Sequence, residues 1–204
     1  MTRRDIERFF TALARAWPHP TGCILVGGAA AVLEGGARPT DDVDFEVRFG
    51  GSVSVEDPDA FAGAVRAAER ASGLAGQFTE DLAAWSPVAL PPYRAGTRRW
   101  KSFGPIAVRL LDPSVYIVTK LRRGAPHDFT DLLLVARAHR VRWRTVSLQC
   151  AAAVRASPRS TRLRAFVKRV EYLFGNHGRS IWGPGFDADP AIALFRKRLI
   201  GGEP

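Results

Sequence analysis

The sequence predicts an α+β fold, α/β in the broad sense: a mixed sheet flanked by helices, followed by an all-helical, basic C-terminal part. Three observations predict it. Up to about residue 111, short apolar or alternating segments of strand length interleave with longer segments of helical period. From residue 112 onward the periodic segments are helical only. Charge is segregated along the chain. Residues 1–135 hold 16 Lys+Arg and 16 Asp+Glu, whereas residues 136–204 hold 14 Lys+Arg and 4 Asp+Glu. The expected organisation of the 204 residues is therefore a core over residues 1–135 and a basic helical region over 136–204 packed on it.

The elements follow in order. Thr2 to Trp17 is an amphipathic helix, with Ile6, Phe9, Phe10, Leu13, Ala14 and Trp17 on one face, Thr2 as cap and Asp5 in the first turn. His19-Pro20-Thr21-Gly22 breaks it. Cys23 to Val26 is a short apolar run and reads as a buried strand. Gly28 to Leu33 suits a short helix that Gly35-Gly36 ends. Asp42 to Arg48 alternates acidic and apolar residues with period two, which is a half-buried strand. Asp57-Pro58 starts a helix that runs to Ser72. Between residues 76 and 110 only a hairpin is legible, Arg98–Phe103 and Pro105–Leu111 joined near Gly104. Asp112-Pro113 starts the next helix and Gly124 ends it. Helices over Pro126–Arg140, Thr145–Ser157, Arg159–Phe174 and Asp189–Leu199 complete the chain.

Composition excludes several classes. Apolar content of 46% and charged content of 25% are those of an ordinary soluble protein. No apolar run approaches the ~20 residues that span a bilayer. The opening MTRRDIERFF is charged and carries no signal-peptide core. Cys23 and Cys150 are too few for a disulfide framework or a zinc site, and His19, His127, His139 and His177 form no ligand spacing. A cytoplasmic protein without membrane partners is the expectation. The net charge of +10 lies wholly in the last third, which points to a polyanionic partner, nucleic acid above all. A surplus of Arg over Lys is what GC-rich codon usage gives, but codon usage does not segregate charge.

The chemistry is carried by LVGGAAAVLEGGARPTDDVDFEV, residues 25–47. A strand runs into Gly27-Gly28, which open a helix. Glycine there lets a phosphate approach the backbone, and free N–H groups at a helix start favour negative charge. On the following strand Asp42 and Asp44 stand at i and i+2, so both carboxylates share a face while Val43 and Phe45 enter the core. Two adjacent carboxylates repel unless a cation lies between them. Mg²⁺, which is held by one or two carboxylates plus substrate phosphates, is the natural occupant, with Mn²⁺ as a substitute. A phosphate cradle beside a divalent-metal dyad makes a site for phosphoryl or nucleotidyl transfer. Asp41 points to the opposite face and reads as a turn residue. Arg38 and Thr40 either contact phosphate or shape the loop.

These residues resemble a known family. A hydrophobic residue, Gly-Gly, 13 intervening residues and Asp-h-Asp-h is the signature of the nucleotidyltransferase superfamily related to DNA polymerase beta. Gly27-Gly28-Ala29 followed by Arg38-Pro39-Thr40-Asp41-Asp42-Val43-Asp44-Phe45 looks more specifically like the toxin nucleotidyltransferases of bacterial type IV toxin–antitoxin systems, the abortive-infection toxins and their mycobacterial relatives. A second block, Tyr116-Ile117-Val118-Thr119-Lys120-Leu121-Arg122-Arg123 followed by Asp128-Phe129-Thr130-Asp131-Leu132, is similar to that family's lysine helix and its Asp-x-x-Asp-Leu. The resemblance covers residues 23–48 and 112–135 well. It implies a nucleotidyltransferase-type sheet, and it assigns Asp42 and Asp44 to the metal, Gly27, Gly28, Arg38 and Thr40 to the nucleotide, and Lys120, Asp128 and Asp131 to catalysis. Many members of the wider superfamily carry a third metal-binding carboxylate on a later strand; Ile106–Leu111 has none, and Asp112 reads as a helix cap.

Without the family, the second block reads two ways. A lysine beside carboxylates can neutralise a triphosphate as a point charge, or it can be an ordinary ion pair, with Asp128 favoured by the helix start. Asp128 and Asp131 share a helix face and are not separated by the sequence. His127 sits beside Asp128. Trp100 and Trp182 are either stacking platforms or packed aromatics.

The helix 159–174 buries Leu163, Phe166, Val167, Val170, Leu173 and Phe174 and leaves Arg162, Lys168 and Arg169 to solvent, with Arg155 one helix earlier. These four are the candidate RNA contacts. The resemblance implies that a nucleoside triphosphate, a pyrimidine such as CTP, supplies a nucleotide to the 3′ acceptor end of tRNA and so blocks charging and translation, with a cognate antitoxin as further partner. Two rival readings are a nucleotidyltransferase acting on a protein or an aminoglycoside, and a non-catalytic nucleic-acid-binding module. An aminoglycoside is cationic and calls for an acidic acceptor surface, which the basic last third is not.

Overall fold

In a computed structural model of the chain, residues 1–36, 40–50 and 58–200 are described. Arg38 and Asp57 lie outside them. The expected mixed α/β class is observed. Contacts divide the chain into two compact units, one formed by residues 1–82 and 97–111, the other by 83–96 and 112–204. The expected boundary was residue 135; contacts set it at 111/112, because the helices after Asp112 share one core among themselves. By this division the first unit holds 12 Lys+Arg against 13 Asp+Glu, and the second 18 against 7.

The sheet unit contains α1 (Arg3–Ala16), β1 (Thr21–Leu25), α2 (Gly27–Leu33), β2 (Asp42–Phe49), α3 (Pro58–Ser72), β3 (Ala75–Thr79), β4 (Arg98–Phe103) and β5 (Ile106–Leu110). The sheet order is β3-β2-β1-β5-β4. β1 pairs antiparallel with β2 and parallel with β5, β2 pairs parallel with β3, and β4–β5 is the antiparallel hairpin, turning at Gly104. α1 starts on a capping box: the Asp5 N–H donates to Thr2 Oγ1 and the Thr2 N–H to Asp5 Oδ2, at 3.3 and 2.7 Å.

The two faces of the sheet differ. Phe45 of β2 lies against Phe9 and Phe10 of α1, Phe61 of α3 and Phe78 of β3, all at centroid distances of 5.8–6.5 Å. Such aromatic pairs contribute roughly 0.5–1.5 kcal/mol each beyond area burial. Cys23 and Leu25 share this face, since they pair with Val47 and Phe45. Burial pushes the Cys23 thiol well above its ordinary pKa, so it acts as a small apolar residue. The opposite face of β2 carries Asp42, Asp44 and Glu46.

The helical unit contains α4 (Pro113–Arg123), α5 (Pro126–Ala138), α6 (Trp143–Arg155), α7 (Thr161–Tyr172), α8 (Gly178–Trp182) and α9 (Ala188–Ile200). α7 does not simply end at Phe174: a π turn over Leu173–His177 leads into α8, and both Leu173 and Phe174 are wholly buried. Val118, Leu121, Leu132, Val146, Phe166 and Phe195 are at the centre of the shared core. α4 has the ends read from sequence. Asp112 accepts the Ser114 N–H at 2.8 Å, and Gly124 closes the helix at φ 68°. α5 ends in a Schellman turn, where the Val141 N–H donates to Ala136 O and the Arg140 N–H to Arg137 O. The left-handed position of that turn, ordinarily a glycine, is Arg140 at φ 49°. A side-chain-bearing residue there costs on the order of 1 kcal/mol.

Candidate functional site

In the sheet unit the Gly-Gly and Asp-x-Asp segments come together. β1 and β2 run antiparallel with Leu25 opposite Phe45, and the Val26 N–H donates to Asp44 O at 2.9 Å. The residues just past β1 therefore lie beside the start of β2. Gly27 takes φ 65°, and a β-carbon there would overlap the Asp44 carboxylate. Only glycine allows this approach. Gly27 is partly exposed, whereas Gly28 is buried inside α2.

Asp42 is partly exposed and Asp44 is 8% exposed, both on the β2 face away from α1 and α3. The Thr40 hydroxyl donates to Asp42 Oδ1 at 2.5 Å. Thr40 thus orients the Asp42 carboxylate, a role beyond the two the sequence offered, phosphate contact or shaping the loop. Asp41 is exposed and its carbonyl accepts the Ala75 N–H of β3 at 3.0 Å, so it lies just before β2 and outside the dyad.

Sequence reasoning passed over a third acid on this face. Glu46, at i+4 from Asp42, is wholly buried and accepts the Leu82 N–H at 3.0 Å. The same period-two signal that places Asp42 and Asp44 together also places Glu46. On β5 the residue in register with Ile24 and Glu46 is Arg109, which donates to the Thr97 hydroxyl at 2.6 Å. Among the described residues no cluster of three or more His, Cys, Asp or Glu side chains has the arrangement of a metal cage. The dyad itself offers two carboxylates, the donor number with which Mg²⁺ is commonly held when phosphates complete its shell. By donor chemistry, Asp42 and Asp44 fit the ion.

The second block forms a cluster within the helical unit. Lys120 is 3% exposed, its Nζ 2.6 Å from Asp131 Oδ2 and 3.4 Å from Asp128 Oδ1. Asp128 also receives both forks of Arg123, at 2.8 and 2.6 Å, and the Ala125 N–H at 2.9 Å. Burial raises the Asp128 pKa, but the Arg123 hydrogen bonds, the charges of Lys120 and Arg123 and the Ala125 N–H outweigh it and hold it below the ordinary carboxylate range. The structure thus separates the two acids: Asp131 pairs closely with Lys120, while Asp128 ties Arg123 to the start of α5. His127 is exposed, 3.0 Å from Arg123 Nη2.

The four candidate RNA contacts do not behave alike. Arg162 and Lys168 are exposed, and Arg155 is exposed with one Nη donating to Arg198 O at 2.8 Å. Arg169 corrects the expectation. It is half-buried and donates to the Leu121 and Arg122 carbonyls at the end of α4, against Gly124. Its guanidinium caps orphan helix carbonyls and is not left to solvent. Trp100 packs with Phe10 and Phe103 at 6.4 and 5.7 Å, the packing reading of that residue.

Among the described residues no helix is long and apolar enough to cross a membrane. No family model, curated protein or solved structure matches the chain.

Proposed function

We propose that the chain is a Mg²⁺-dependent nucleotidyltransferase that moves a nucleoside monophosphate from a nucleoside triphosphate to an RNA 3′ end, the acceptor end of tRNA by resemblance. The observation that carries this reading is the meeting of Gly27 with Asp44: a left-handed glycine after β1 lies directly against a carboxylate of an i, i+2 pair on β2. A plain structural turn needs neither the paired acids nor this close approach. The balance of charge supports a nucleic-acid acceptor, since the helical unit has 18 basic and 7 acidic residues.

In this reading Asp42 and Asp44 hold the ion, which when bound neutralises charge on the phosphates. Thr40 fixes the Asp42 carboxylate, and Gly27, lacking a side chain, lets the Asp44 carboxylate approach its backbone. The 3′-hydroxyl oxygen bonds to the α-phosphorus and releases its proton to solvent water. The α–β bridging bond breaks, and pyrophosphate leaves with the electron pair. Lys120 brings no surplus charge to a triphosphate, because Asp131 and Asp128 already match it; its part here is to position α4 against α5.

The test is incubation with total RNA, Mg²⁺ and each α-labelled triphosphate in turn. Label appearing in tRNA, and lost by more than about a hundredfold in folded Asp44→Asn, is the expected result. Label in protein would overturn the RNA acceptor, and no label with any triphosphate would overturn the transferase.

A further inference from the structure

The turn from α5 into α6 breaks several local rules at one place. Arg140 occupies the left-handed position that glycine ordinarily takes. Arg142 is the N-cap of α6 and makes no capping bond, and no acidic residue occupies that helix's first turn. Arg144 follows in the first turn, so two cations sit where the helix dipole disfavours them. Sequences that break local rules repeatedly at one point do so for function more often than for folding.

These residues line one cleft of about 580 Å³, together with Arg137, Trp143 and Trp182. Its lining has four guanidiniums and no carboxylate. Arg137 donates to Ser180 O at 2.6 Å. Among the described residues no carboxylate pairs with Arg140, Arg142 or Arg144. All four arginines are exposed, and both indoles are partly exposed. The Arg144 guanidinium lies over the Trp143 ring, 4.6 Å from its centroid. Trp182 is fixed by its indole N–H, which donates to Val141 O at 2.7 Å, and by the ring of Phe186.

We propose that this cleft takes an unpaired stretch of RNA, its phosphates on Arg137, Arg140, Arg142 and Arg144 and a base against the indole of Trp143. Guanidiniums recognise phosphates of any nucleic acid, but an indole face at the same site needs a base free to leave its stack, which selects single strands over duplex. The inference rests on the RNA acceptor of the proposed function and is independent of the carboxylate face: binding requires neither metal nor triphosphate.

Fluorescence anisotropy with a labelled oligouridylate in EDTA tests it, on the full chain over a series of salt concentrations. Four phosphate contacts on a single strand predict a log–log salt slope of about −3. Arg140→Gly removes one guanidinium and relieves the left-handed backbone, so the melting temperature holds or rises. Affinity falls several-fold and the slope weakens by about 0.7. Trp143→Leu weakens binding by roughly tenfold and leaves the slope in place. Unchanged binding by Arg140→Gly overturns the proposal, and that variant remains informative if Trp143→Leu does not fold. Equal affinity for oligouridylate, an RNA duplex and inorganic polyphosphate also overturns it, leaving a general polyanion surface.

Discussion

The sheet unit and the helical unit each gather carboxylates, and the groups around those carboxylates differ. On β2, Asp42 accepts a hydroxyl from Thr40, a neutral donor. At the turn from α4 to α5, Asp131 and Asp128 meet Lys120 and Arg123 at 2.6 Å each. There the carboxylate charge is already matched by two cations, Lys120 buried and Arg123 half-exposed. Neutral donors orient a carboxylate and leave its charge in place, and that charge is what a divalent ion needs. Both clusters stood in the sequence as candidate chemistry, and their surroundings tell them apart.

The comparison breaks most visibly at Lys120. Lys120→Met removes the buried cation 2.6 Å from Asp131 and 3.4 Å from Asp128 and is expected to lower stability by about 3–5 kcal/mol, read from urea unfolding. Adding Asp131→Leu to Lys120→Met should recover much of that loss, because a buried pair replaced by apolar groups is nearly neutral. A small effect of Lys120→Met would mean that the cluster does not hold the helices. Gly27→Ala comes next. The left-handed backbone and the overlap with Asp44 together predict a loss of roughly 2–4 kcal/mol. Loss of divalent-ion binding should accompany it, whereas Gly28→Ala is expected to spare the ion. Asp128→Asn is smaller, about 2 kcal/mol at neutral pH. Its folded pKa lies below the unfolded value of about 3.9, so Asp128 stabilises the fold above that pH. That contribution disappears as pH falls through the lowered folded value, so the stability curves of wild type and Asp128→Asn should converge only below about pH 4. Curves that converge at neutral pH would contradict the ion-pair assignment.

Local signals carried much of this into the sequence. Thr2 and Asp5 announce α1 by their spacing, Asp112-Pro113 and Gly124 bracket α4, and period two places Asp42 with Asp44. Glu46 obeys the same parity and was equally legible. β3, AGQFT, has no apolar alternation. It is a strand because it pairs in parallel with β2 and because Gly76 leaves room for Phe9 and Val65, which come from elsewhere in the chain. Arg169 is misread for a related reason. Helical period puts it on the polar face, but its partners are carbonyls 47 and 48 residues away. Separating the dyad from the Lys120 cluster likewise depended on what surrounds each carboxylate, which periodicity does not encode.

Calorimetric titration of each nucleoside triphosphate with Mg²⁺, into wild type, Asp44→Asn and Lys120→Met, tests the central claim most directly. The account predicts Mg²⁺-dependent binding to wild type, weakened at least tenfold by Asp44→Asn and changed less than about threefold in folded Lys120→Met. Wild-type affinity in Asp44→Asn, or loss confined to Lys120→Met, would contradict it and move the nucleotide to the α4–α5 cluster.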